Sequence, residues 1–151
     1  MDVYQSISTD SLLEYCWEVR QQIRECLKVT PEHLLSWAPK EGMQSFGILF
    51  IHISTSVDWW LTTVFKDGGQ WIPASHHRLD DKESLDNHLE FSFERLEHFI
   101  GSADLSQMYI SKEEALRGAW IILHLFEHDI QHLAQIKVYL RQNGITPPGS
   151  K

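Results

Sequence analysis

An all-α fold, a four-helix bundle with a long connection between its second and third helices, is predicted by three features of the 151-residue sequence. Apolar residues recur at spacings of three and four along four long stretches. Capping residues, glycines and prolines bound those stretches. No segment shows the sustained alternation of a half-buried strand, so helix-on-helix packing is left as the way to build a core.

The first stretch opens near Thr9-Asp10, whose short polar side chains suit a helix start, and Leu12, Cys16, Val19, Ile23 and Cys26 form its stripe. Thr30-Pro31-Glu32 reads as an N-cap followed by proline at the first helical position, a short turn that ends before Pro39. Gly42 follows in a loop. The second helix runs from about Ser45 to Phe65 with Phe46, Leu49, Phe50, Ile53, Val57, Trp60 and Val64 as its seam. Asp67-Gly68-Gly69 ends it, and a polar connection continues to about Lys82. The third helix, roughly Ser84 to Ile100, carries Leu85, Leu89, Ser92, Leu96 and Phe99, with Gly101 as its stop. The fourth opens at Ser111, where Glu114 gives capping-box spacing, and runs to Asn143-Gly144 ahead of Pro147 and Pro148. With no internal repeat or low-complexity tract, residues 1–151 read as a single domain.

Composition narrows the function classes. Thirteen Lys and Arg against 21 Asp and Glu leave a net charge of −8, which repels phosphate, and no basic cluster offsets it, so nucleic acid is excluded as a partner. Six Trp, seven Phe and four Tyr supply too much apolar surface for a disordered chain. The longest strictly apolar run, Ala119 to Leu123, is far short of the ~20 residues that span a bilayer. The N-terminal MDVYQSISTD has neither the basic start nor the apolar stretch of a secretory signal, and the expected location is cytoplasmic. Cys16 and Cys26 share one helix about 15 Å apart, too far for a disulfide, and read as small buried hydrophobes.

Nine histidines are the anomaly. At that frequency about 0.5 pairs four residues apart are expected by chance, so a lone HxxxH carries little weight. The fourth helix holds two such pairs through His124, His128 and His132. The outer two lie ~12 Å apart along the axis, so all three cannot share one ion. On a helical wheel His132 falls inside the apolar arc of Ala119, Ile122, Phe126, Leu133, Ile136 and Leu140, and His128 at its edge; His124 lies further round with Gln131 and Gln135. His128 and His132 therefore point toward the bundle, either as a chelating pair or as hydrogen-bonded core histidines. His52 is the candidate third ligand, on a second-helix stripe with Ser45, Ser56, Trp59 and Thr63 that has the composition of a pocket wall. A lone histidine there is more often a satisfied core residue, and periodicity does not bring it to the other two. Asp129 falls on the apolar arc and requires a partner: a ligand imidazole, an indole N–H or a buried arginine. His76-His77 read as surface, while His33, His88 and His98 lack partner spacing. Tyr4, Tyr15 and the loop Trp71 are candidates to line a pocket, with core or interface packing the commoner role for each.

The stretches Ser45-Phe46-Gly47-Ile48-Leu49-Phe50-Ile51-His52 with Val57-Asp58-Trp59-Trp60-Leu61, and Glu127-His128-Asp129-Ile130-Gln131-His132-Leu133-Ala134-Gln135-Ile136 with Tyr139-Leu140-Arg141 and Gly144, resemble the two signature helices of the DinB/YfiT-like superfamily. Trp37-Ala38-Pro39 and Gly42 match the usual lead-in. The resemblance implies an up-down-down-up four-helix bundle, often a homodimer, with one divalent metal per chain held at the positions of His52, His128 and His132. Leu133-Ala134 stands where many members carry Arg-Gly, which removes a basic contact near the site. Three neutral imidazoles suit Zn²⁺ or Ni²⁺ and leave coordination positions open. Relatives include S-transferases for low-molecular-weight thiols such as bacillithiol and mycothiol, and others are linked to hydrolysis. The expected function is therefore metal-dependent thiol S-transfer to a small-molecule substrate, with Asp129, Ser56, Trp59 and Thr63 supporting or lining the pocket. The alternatives are a metal-dependent hydrolase and a non-catalytic metal-binding or structural dimer.

Overall fold

A computed structural model describes residues 8–149. Four long helices make the bundle: α1 Thr9–Val29, α2 Phe46–Trp59, α3 Lys82–Ser102 and α4 Gly118–Gln142. Ser8, Ser45 and Asp81 cap the first three through side-chain oxygens that accept N–H groups of Ser11, Ile48 and Ser84. Capping by Asp81 starts α3 two residues ahead of the expected Ser84, and α3 passes through Gly101 to end at Ser102. The left-handed Gly144 closes α4, with the Gly144 and Ile145 N–H groups donating to the Arg141 and Leu140 carbonyls.

The expected start of α4 at Ser111 is overturned. Met108–Ser111 (β1) pairs antiparallel with Glu114–Arg117 (β2) through a two-residue turn at Lys112-Glu113. Both turn residues have positive φ, as a tight twisted hairpin requires. Ser111 and Glu114 thus face each other across a ladder and form no capping box. Tyr109 anchors the hairpin by packing edge-on against Phe65 at 4.7 Å. The first N–H groups of α4 are satisfied by backbone, Gly118 donating to the Gln107 carbonyl and Ala119 to that of Leu105. Any Cβ on Gly118 would stand 3.0 Å from the Tyr109 ring, so glycine is needed where hairpin and helix meet.

α1 and α2 each pack against both α3 and α4, which places α1 diagonally across from α2. One apolar cluster gathers Ile23, Phe50, Ile53, Leu89 and Ile136; a second gathers Val57, Phe93, Leu96, Leu125 and Ile121. Between them lies a polar layer. Arg20 of α1 is 1% exposed, its Nε and Nη2 donate to the two carboxylate oxygens of Asp129, and its Nη1 donates to the Leu89 carbonyl and Ser92 Oγ. The carboxylate therefore finds the buried arginine among its three anticipated partners. Cys16 and Cys26 are free and buried, and burial pushes their thiols up to about 12 and about 11.

Past Trp59, α2 continues as a π-helical turn, Trp60–Val64. The connection that follows is clamped by Arg95 of α3, which donates to Asp67, Asp58, Thr62 and the Gln70 carbonyl. Further along, Leu79 lies over Gly47, where an added Cβ would meet the Leu79 carbonyl at 2.8 Å. That close approach seats the connection against α2, beside His52.

Candidate metal centre

His52 comes from α2, and His128 and His132 from successive turns of α4, all three half-buried. The structure brings them together. His128 Nε2 lies 3.0 Å from His52 Nε2 and 3.1 Å from His132 Nε2. Bonds of ~2.0–2.1 Å to one ion at tetrahedral or octahedral angles separate ligand nitrogens by roughly 2.9–3.4 Å. Both distances from His128 fall in the range that ligands of a single divalent cation require. Among the described residues this is the one group of three such side chains whose ligand atoms all lie within 4.8 Å of one another.

The hydrogen bonds behind the imidazoles set which nitrogen faces inward. Tyr139 Oη donates to the Gln44 carbonyl at 3.0 Å and accepts from Gln135 Nε2 at 3.4 Å. The amide oxygen of Gln135 is thereby turned to His132 Nδ1, 3.1 Å away. That oxygen accepts an N–H from Nδ1, the tautomer of the neutral ring that leaves His132 Nε2 as the ligating nitrogen. Ser56 Oγ stands 3.5 Å behind His52 Nδ1, while His128 Nδ1 is buried with no partner among the described residues. Burial first, then the neighbouring His132, His52, His124 and Arg20, lower His128 to about 3; burial and His132 also lower His52. Neutral imidazoles are the form that ligates a metal.

The sequence model of the DinB family matches residues 4–151. The chain belongs to the DinB family. The crystal structure of a DinB-like protein from Bacillus cereus ATCC 10987 matches it with a TM-score of 0.77, covering 95% of this chain and 97% of that one. At 18% identity that likeness is one of fold. No curated protein matches the chain in sequence.

In this DinB-family chain a cleft of about 270 Å³ adjoins the histidine cluster on its His52 side. The indoles of Trp59, Trp60 and Trp71 line it, with the hydroxyls of Thr55 and Ser56; Pro73 and Ala74 close it from the connection. Ser56 and Trp59 thus take the wall positions expected of them. Thr63 does not: it is exposed and outside the lining, because the π-helical turn breaks the 100° register that put it on the His52 stripe. Asp129 touches no ligand imidazole among its hydrogen bonds; it is committed to Arg20. His124 stays out of the cluster, stacked on Trp120 at 5.2 Å and edge-on to Trp60 at 5.9 Å. His77 packs on His88 at 4.5 Å, and burial and that neighbour lower His88. Tyr15 is exposed, Trp71 belongs to the cleft rather than to packing, and Tyr4 lies outside the described residues.

Sequence reasoning missed Gln135, although its place three residues after His132 on one helical face was the available signal. It also missed Arg20, a charged residue on the Cys16–Ile23 stripe. A larger groove of about 550 Å³ runs between α1 and α3 under Asp10, Glu14, Glu94 and Glu97, but no triad residue lines it. No helix of the described residues is long and apolar enough to cross a membrane.

Proposed function

We propose that this protein is a metal-dependent enzyme that joins a low-molecular-weight thiol to a small electrophile. The observation that carries the reading is the convergence of three half-buried imidazoles beside a cleft, with His128 Nε2 at 3.0 Å from that of His52 and 3.1 Å from that of His132. His52, His128 and His132 would hold one divalent ion, zinc or nickel by the donor set. Such an ion supplies a strong Lewis acid with no anionic protein ligand to quench it, able to hold as thiolate a thiol whose free pKa is ~8.5.

The chain's own residues do the rest. Gln135 fixes the tautomer of His132, and the Tyr139 hydroxyl fixes Gln135. The indoles of Trp59, Trp60 and Trp71 strip water from the electrophile and hold it beside the ligand cluster. The overall reaction forms one carbon–sulfur bond; the leaving group departs with the pair of the bond it breaks, and the thiol proton passes to water. A cytoplasmic setting, where low-molecular-weight thiols are kept reduced, and a homodimeric assembly belong to the same reading.

The test is conjugation of bacillithiol, mycothiol and glutathione to a chromogenic electrophile by zinc- and nickel-loaded protein. The loaded protein should exceed its chelated form with at least one thiol, and His128→Ala should remove the excess while keeping the helical signal. Rates equal to those of chelated protein with all three thiols would overturn the transferase reading and leave a hydrolase or a binding protein.

A further inference from the structure

The cleft beside His52 is unusual for a site that handles metabolites. Its lining carries three indoles, two hydroxyls and one imidazole, and among the described residues no Lys, Arg, Asp or Glu lines it. Charged metabolites are usually held by a paired cation or a helix N-terminus, and a carboxylate or phosphate desolvated without one costs several kcal/mol. Arg95, which clamps the connection, is spent: its three nitrogens already serve Asp67, Asp58, Thr62 and the Gln70 carbonyl, and Arg78 of the connection pairs with Asp80. The protein as a whole carries −8, which adds a long-range penalty for an anion.

The aromatic wall is built to a fixed geometry. Trp59 and Trp60 pack edge to face on each other at 88° with centroids 5.1 Å apart, which fixes both indoles in the cleft wall. The edge of His124 backs Trp60, and Trp120 stacks behind His124 at an interplanar angle of 8°, which braces Trp60 from α4. Trp71 arrives from the connection and is 41% exposed, the one indole of the three held by a loop. A volume of about 270 Å³ lies at the small end of ligand pockets and suits one or two fused rings.

We infer that the cleft is a binding site for an uncharged, flat aromatic molecule, held by Trp59, Trp60 and Trp71, and that in the metal-free protein it rejects anions of the same shape. The inference rests on the proposed function only in making this molecule the electrophile; the binding itself does not depend on a metal. Trp71 sets affinity, since it adds a ring face from a position where its removal leaves the helical core intact.

Calorimetric titration of the full chain, chelated beforehand, with 2-naphthol and with 2-naphthalenesulfonate tests it. 2-Naphthol should bind at least tenfold more tightly than the sulfonate. Trp71→Ala should weaken 2-naphthol about tenfold, whereas Phe91→Ala, which removes a more exposed aromatic of α3 that does not line the cleft, should leave it within twofold. Equal affinity for the two ligands, no binding of 2-naphthol, or unchanged affinity in Trp71→Ala would each overturn the inference. Zinc uptake, measured on the same samples, reports on the histidine cluster alone. Naphthol binding without zinc uptake would sink the metal reading and keep this one; zinc uptake without naphthol binding would do the reverse.

Discussion

Two polar groups sit in the interior of this bundle, and neighbouring residues of α4, His128 and Asp129, belong one to each. They are built in opposite ways. The Arg20–Asp129 pair is closed: both residues are nearly inaccessible, and the arginine's remaining donors are taken by Leu89 and Ser92. The His52–His128–His132 cluster is half-exposed, points three like atoms at one another and leaves His128 Nδ1 unpartnered among the described residues. A satisfied buried ion pair has nothing left to offer a ligand, and its worth lies in fixing how α1, α3 and α4 pack. Three imidazole nitrogens that converge on one another cannot all be satisfied by each other, and a cation would satisfy them together. Buried polarity alone therefore does not mark a site; the unfilled valence does.

The largest effect separating the two regions is on stability. Arg20→Met strands a buried carboxylate and should cost about 3–5 kcal/mol, lowering Tm by roughly 10 °C, while zinc uptake at low temperature persists. Adding Asp129→Leu to it should recover most of the loss, because the stranded charge is gone. Thermal melts of the single and double variants decide this, and zinc uptake lost from a still-folded Arg20→Met would join the two regions into one unit.

Smaller, and in the opposite sense, is Gln135→Leu. It frees the His132 tautomer and should weaken zinc affinity ~10–100-fold with Tm of the metal-free protein nearly unchanged. A competition titration with a zinc indicator measures it.

The smallest effect is on pH dependence. His52, His88 and His128 all have folded values below their ordinary 6.5, so below that pH the unfolded chain binds more protons than the native one. Stability of the chelated protein should thus be full above about pH 6.5 and fall as pH drops toward the folded value of about 3 for His128. His128→Asn should flatten that fall in Tm measured between pH 6.5 and 5; an unchanged slope would show that the cluster is not desolvated.

Much of this was legible in the residues. The i, i+3/i+4 stripes located all four helices because burial follows the helical period, and nearly every seam residue of α2 and α4 is buried. The wheel separated His128 and His132 from His124 for the same reason. What it could not supply is distance between elements: that His52 meets the pair depends on α2 and α4 being neighbours, which no periodicity encodes. Two misses have local causes. The Ser111/Glu114 spacing mimicked a capping box, but Tyr109 and Ile110 favour a strand, and Tyr109 finds its partner, Phe65, more than forty residues away. Thr63 failed because one π-helical turn shifts the register after Trp60, and the wheel assumes none.

The central claim, that the unsatisfied cluster is a metal site, is tested most directly by zinc titration of the full chain after chelation and reloading, read by elemental analysis. One ion per chain should bind tightly. His52→Ala, His128→Ala and His132→Ala should each lose tight binding while keeping the helical circular-dichroism signal, and His124→Ala should stay within about twofold of the parent. No ion after reloading, or uptake undiminished in His128→Ala, would contradict the account.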